Sequence, residues 1–139
     1  MRVLMVCLGN ICRSPMAEAV LAHLAPAWQV DSAGTGGWHA GEAPDRRTLA
    51  ELRRHGIATS HRARQVETAD FTRFDLILAM DRQNLRDLER IRPRDATAQL
   101  RLLDDAEVPD PYYDGPEAFA AIHTQIDSAC RRLLAETAA

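Results

Sequence analysis

The residues best suited to chemistry lie near the N-terminus, in the run Cys7-Leu8-Gly9-Asn10-Ile11-Cys12-Arg13-Ser14. A thiolate is a strong nucleophile, and helix N-termini and neighbouring cations favour it over the thiol. A guanidinium forks onto two oxygens of a tetrahedral oxyanion. The five residues between Cys7 and Arg13 let the chain circle back, so that the sulfur sits beneath the phosphorus whose oxygens Arg13 holds. Gly9 and Asn10 are types that tolerate positive φ, which a ring of inward-facing amides requires. The Ser14 hydroxyl can donate to the sulfur, steadying the thiolate and making it a better leaving group. This set of groups could displace a leaving group from phosphorus through a phosphocysteine, without a metal.

Such a loop needs a strand to deliver Cys7 and a helix whose N-terminus follows. The aliphatic run Arg2 to Val6 reads as a buried strand. Ser14-Pro15 reads as a helix opening, with Ser as N-cap and Pro in the first helical position. Ala17, Val20, Leu21 and Leu24 then make one apolar face. Trp28 to Ser32 predicts a second strand, followed by a loop containing Gly34, Gly36, Gly37 and Gly41. Arg46 to His55 predicts a helix stopped by Gly56. Asp75 to Met80 and Gln99 to Leu103 predict two more strands, separated by a helix over Gln83 to Ile91. An acidic, proline-bearing loop precedes a C-terminal amphipathic helix marked by Phe119, Ile122, Ile126, Cys130 and Leu133. Strands alternating with helices imply an α/β fold, a doubly wound parallel sheet with helices on both faces. Ligands bind such sheets beyond the strands' carboxyl ends, where Cys7 lies.

Composition narrows the function further. A glycine-rich strand-to-helix loop can cradle nucleotides, but that pattern needs a lysine before its Ser/Thr. All 17 basic residues here are arginine, so the nucleotide reading fails. A net charge of −3 provides no basic field for nucleic acid or an anionic membrane. Three cysteines (Cys7, Cys12 and Cys130) are an odd number and make a poor disulfide framework. No segment reads as a signal peptide or a membrane span. The expectation is one cytoplasmic domain over residues 1–139, with free thiols. Cys12 could form a reversible disulfide with Cys7 under peroxide.

The segment Val6-Cys7-Leu8-Gly9-Asn10-Ile11-Cys12-Arg13-Ser14-Pro15-Met16-Ala17-Glu18 resembles the signature of the low-molecular-weight protein tyrosine phosphatases. The resemblance continues through Asp31-Ser32-Ala33-Gly34-Thr35, His61 with Ala63-Arg64-Gln65, Ala79-Met80-Asp81, and Asp110-Pro111-Tyr112-Tyr113. It implies a four-stranded parallel sheet, a phosphocysteine intermediate, and neither cofactor nor metal. Leu8 to Ser14 would bind phosphate, with Cys7 as nucleophile and Arg13 as clamp. The acidic loop offers Asp104, Asp105, Glu107, Asp110 and Asp114 as proton donors. Pro111 restricts Asp110 to extended conformations and so modestly favours it; the resemblance assigns it. The resemblance also implies that Asn10, Ser14, Ser32 and His61 brace the loop. It further places an aromatic rim at Trp38, Tyr112 and Tyr113, with Leu8 and Ile11 beside it. Trp38 has no periodic partner in sequence, which suits a rim position, and Asp81 reads as structural.

The implied substrate is a phosphotyrosine-containing protein, a bacterial tyrosine kinase among the precedents, met by a monomer or weak dimer. Two relatives share the scaffold. Protein arginine phosphatases carry a Thr where this chain has Ile11, and the bulkier Ile favours phosphotyrosine. Thioredoxin-coupled arsenate reductases need further redox cysteines after the third strand, and Met80 to Leu103 contains none. Cys130 is in phase with the apolar face of its helix, so it reads as core. A non-catalytic phosphotyrosine-binding module would have lost the nucleophile or the acid, and both are present.

Overall fold

β1 (Arg2–Cys7) is apolar along almost its whole length because both of its faces are covered. In the computed structural model, whose described residues are 1–138, it lies inside a four-stranded parallel sheet. Its partners are β2 (Gln29–Gly34), β3 (Leu76–Ala79) and β4 (Gln99–Leu102), in the order β2-β1-β3-β4. Val3, Met5 and Cys7 point to one core, Leu4 and Val6 to the other. Central parallel strands show this continuous apolar pattern rather than alternation.

Helices cover both faces. α1 (Arg13–Leu24), α2 (Arg46–Arg54) and α5 (Pro116–Ala138) lie over the first, with Met16, Leu21, Leu52, Phe119 and Ile126 almost wholly buried. α3 (Asp70–Arg73) and α4 (Arg82–Ile91) lie over the second through Phe71 and Leu88. Each such side chain contributes about 1.5–3 kcal/mol by leaving water. The chain leaves β1 for β2 on one side and returns to β3 on the other. The switch point of the sheet therefore falls at the carboxyl end of β1, beside Cys7.

Several local expectations shift. α1 begins at Arg13, with Cys12 flanking it and no side-chain cap. Ser14 is thus inside the first turn, because its hydroxyl is engaged with Cys7 instead of a backbone N–H. Pro15 still suits the first turn, where an N–H would lack an intrahelical acceptor. β2 extends to Gly34, past the predicted end at Ser32. α3 is a single turn, too short to show a periodicity. Cys130 is fully buried in the core, as its phase implies. Among the described residues no helix is long and apolar enough to cross a membrane.

Candidate active site

The loop between β1 and α1 is shaped from outside by its carbonyls. Thr35 N–H donates to Cys7 O and Gly36 N–H to Leu8 O, each at 2.9 Å. Asp45 N–H donates to Ile11 O at 2.8 Å, while Cys12 O accepts from Met16 N–H and the Thr48 hydroxyl. With the carbonyls held outward, the amides turn the other way. Among the described residues the N–H groups of Gly9, Asn10, Ile11 and Cys12 find no protein acceptor. The first N–H groups of α1 continue the series, and the helix dipole adds partial positive charge. Such a run of free amides is able to act as an anion nest. The sharp turn falls at Asn10, whose φ of 58° is the only positive value at a non-glycine among the described residues.

The Asn10 side chain orders the groups around the sulfur. Its Nδ2 donates to Ser14 Oγ at 2.8 Å and to Ser32 Oγ at 2.9 Å. Its Oδ1 accepts from His61 Nε2 at 2.7 Å and from Arg64 N–H at 3.0 Å. Because Ser14 Oγ already accepts from Asn10, its own proton is free for Cys7 Sγ, 2.9 Å away. Ser32 similarly donates to Glu18 Oε1 at 2.7 Å, and His61 Nδ1 lies 3.0 Å from the same oxygen. Asn10, Ser14 and Ser32 are all fully buried. The four expected bracing residues therefore meet in one network. Glu18 and Arg64 complete it, and no spacing rule singled them out for that role.

Arg13 is only 3% exposed. One of its nitrogens donates to Asp81 Oδ2 at 2.7 Å and to Val108 O at 3.0 Å. Burial opposes its charge, but the Cys7 sulfur and the Asp81 hydrogen bond outweigh it and raise the guanidinium pKa above its ordinary value. Asp81 serves twice, since its other oxygen caps α4 by accepting from Asn84 N–H. The structural reading of Asp81 thus needs extending: it also orients Arg13. The Cys12 thiol, by contrast, is pushed up to about 12 by burial, with Asp45, Cys7 and Asp110 adding to it.

A cleft of about 290 Å³ opens over Cys7 and Arg13 and is walled by Leu8, Ile11, Trp38, Asp110, Tyr112 and Tyr113. The expected proton donor and all three rim aromatics therefore share one cavity with the expected nucleophile. Trp38 is 72% exposed and Tyr113 94%, against 3% for Cys7, so the aromatics stand at the mouth. Trp38 does have a partner. Its ring packs on Gly36, where a Cβ would stand only 1.7 Å from it, so a side chain at residue 36 would displace the exposed ring. His39 also lines the cleft, against Gly9, and pairs with Glu42 at 3.0 Å. Asp110 Oδ1 accepts from Tyr112 N–H at 3.1 Å, an Asx-type turn around Pro111. Of the remaining shortlisted acids, Asp104 pairs with Arg132 and Glu107 caps Arg82 N–H; neither lines the cleft.

A thiol under inward amides, beside a buried guanidinium at a sheet's switch point, defines a cysteine-centred oxyanion loop on a doubly wound fold. Residues 2–139 match the model of the family described as low molecular weight phosphotyrosine protein phosphatase. A Streptomyces coelicolor protein named low molecular weight protein-tyrosine-phosphatase is 47% identical, with 96% of this chain and 92% of that one covered. The crystal structure of a Drosophila arginine phosphatase superposes with a TM-score of 0.95 at 39% identity, covering 100% and 99% of the two chains. Vibrio vulnificus Wzb, solved with benzylphosphonate, gives 0.91 at 30% identity and 97% coverage of each. The chain belongs to the low molecular weight phosphotyrosine protein phosphatase family.

Proposed function

We propose that this protein hydrolyses phosphotyrosine in protein substrates through a phosphocysteine formed on Cys7. The observation that carries this reading is the Cys7–Ser14 contact at 2.9 Å, which puts a hydroxyl able to donate to a thiolate against the sulfur, on a serine held by Asn10. The amides of Leu8 to Ser14 and the Arg13 fork hold the phosphate oxygens. The Cys7 thiolate attacks phosphorus, the phosphorus–oxygen bond to the tyrosyl group breaks, and the Asp110 carboxyl gives its proton to the leaving oxygen. Water then attacks the phosphocysteine, the Asp110 carboxylate takes its proton, and the thiolate departs, steadied by Ser14. Asn10, Ser14, Ser32 and His61 keep the loop rigid while charge moves through it. Trp38, Tyr112 and Tyr113 receive the aryl ring, and the depth from rim to sulfur selects a long side chain.

Tyrosine-phosphorylated proteins are the partners, a tyrosine kinase among them, and the buried free thiols suit the reducing cytoplasm. The exposed apolar side chains gather mainly at the cleft (Leu8, Trp38, Tyr112, Tyr113), which suits a monomer or weak dimer. The likeness to an arginine phosphatase gives phosphoarginine as a second substrate; against it stands Ile11, whose branched side chain lines the cleft. The test compares a phosphotyrosine peptide with a phosphoarginine peptide, and wild type with Cys7→Ser. We expect kcat/KM to favour phosphotyrosine, Cys7→Ser to be inactive, and acid quench to trap a phosphocysteine. Preference for phosphoarginine would overturn the substrate, and an active Cys7→Ser the mechanism.

A further inference from the structure

Arg47, in the first turn of α2, bridges the two sides of the cleft. Its guanidinium forks onto Asp45, with Nε 3.0 Å from Oδ1 and one terminal nitrogen 3.0 Å from Oδ2. Asp45 in turn is the N-cap of α2, accepting from Arg47 N–H at 2.8 Å, and its own N–H holds Ile11 O of the phosphate loop. The rest of the guanidinium faces the acid-bearing loop. It donates to Tyr112 O at 2.9 Å and to Asp114 O at 2.7 Å. Apart from the Ala118 N–H to Gly115 O bond where the loop enters α5, these are the only hydrogen bonds among the described residues that join residues 109–115 to another segment. The Phe119 ring lies 4.4 Å from the guanidinium carbon and fixes its plane. The Arg47 hydrogen bond holds the Asp45 carboxyl below the usual carboxylate range, as a persistent pair requires.

Tyr112 is the connecting link. Its C=O is held by Arg47, and the N–H of the same residue holds the Asp110 carboxylate. The loop has little else to fix it, for Asp110, Tyr112, Tyr113 and Asp114 are all exposed and only Pro111 is buried. We propose that Arg47 is a positioning residue for proton transfer, setting Asp110 over the leaving oxygen by gripping the Tyr112 peptide. This rests on Asp110 being the proton donor.

A lost proton donor hurts a poor leaving group far more than a good one, so leaving-group dependence separates positioning from general damage. The experiment measures kcat/KM for phenyl phosphate and 2,4-dinitrophenyl phosphate with wild type, Arg47→Met, Arg47→Lys and Asp110→Asn. Small misplacements of catalytic groups cost up to about 100-fold, and general acids supply roughly 10²–10⁴-fold. Arg47→Met should lose roughly 10- to 100-fold on phenyl phosphate and under about threefold on the dinitrophenyl ester. Arg47→Lys should fall between, since one ammonium cannot span two carbonyls and a carboxylate. Adding Arg47→Met to Asp110→Asn should cost little more on phenyl phosphate, because both act through one proton. Equal losses on both esters, or an additive double variant, would overturn the proposal. An Asp110→Asn variant with no leaving-group dependence would instead overturn the assignment of the acid. Should Arg47→Met fail to fold, Arg47→Lys and Asp45→Asn carry the same comparison.

Discussion

Asn10 is the position at which backbone and side chain can be separated by substitution. Asn10→Gly keeps the φ of 58° and removes the amide; Asn10→Ala removes the amide and must also strain the backbone. The amide makes four hydrogen bonds, to Ser14, Ser32, His61 and Arg64. Three of those partners retain another contact: Ser14 to Cys7, Ser32 to Glu18, and His61 to Glu18. The Arg64 N–H keeps none, and an orphaned buried donor costs about 1–3 kcal/mol, with about 1 kcal/mol for each ordinary bond lost. Asn10→Gly should therefore destabilise by about 4–6 kcal/mol, and Asn10→Ala by about 1 kcal/mol more for its left-handed backbone. Urea unfolding with matched m-values measures both. In turnover, Ser14 is no longer obliged to aim its proton at the sulfur. Loss of a charge-assisted hydrogen bond of about 1.5–3 kcal/mol should slow phosphocysteine hydrolysis roughly 10- to 100-fold. Rapid-quench counting of trapped phosphoenzyme reads that step. An Asn10→Gly protein within 1 kcal/mol of wild type, or less stable than Asn10→Ala, would refute this account of the loop.

Asp81→Ala removes both the α4 cap, worth about 1 kcal/mol, and the carboxylate that orients Arg13. Its kcat/KM should fall at least roughly tenfold, about one charge-assisted hydrogen bond, with Asp81→Asn milder because its single amide oxygen still accepts one of the two hydrogen bonds; unchanged kcat/KM would contradict the role. Gly34→Ala places a Cβ 2.7 Å from Leu8 O and 2.9 Å from Gly36 O, both backbone atoms. It should cost about 1–3 kcal/mol as overpacking does and lower kcat together with Tm. His123 is buried against α2, stacked 3.6 Å from His55, and faces Glu51 there and Asp127 on its own helix. Burial, then the His55 charge, lowers its pKa, with the two carboxylates pulling weakly upward. The unfolded chain thus takes up the proton first. The stability it contributes is present above about pH 6.5 and is lost as pH falls through the lower folded value. Thermal unfolding between pH 7.5 and 5 should show that decline, and His123→Leu should flatten it.

The sequence alone determined the elements that carry strong local signals. The apolar run of β1, the spacing of Cys7 and Arg13, and the glycine after α2 each depend on neighbours a few residues away. So do the left-handed tolerance of Asn10 and the Pro111 restraint on Asp110. Those signals were enough for the doubly wound sheet and for the candidate nucleophile and clamp; the family resemblance chose the acid among the loop carboxylates and supplied the rim and the bracing set.

What the tertiary structure decided are the partners separated by tens of residues. Asp81 reaches Arg13 across 68 positions, Arg64 reaches Asn10 across 54, and Arg47 reaches Tyr112 across 65. In sequence each is an ordinary charged residue, for a charge run reads the same whether it meets solvent or a buried carbonyl. Parallel strand pairing and the packing of helices on the sheet, not local propensity, bring these distant segments together at the carboxyl end of β1.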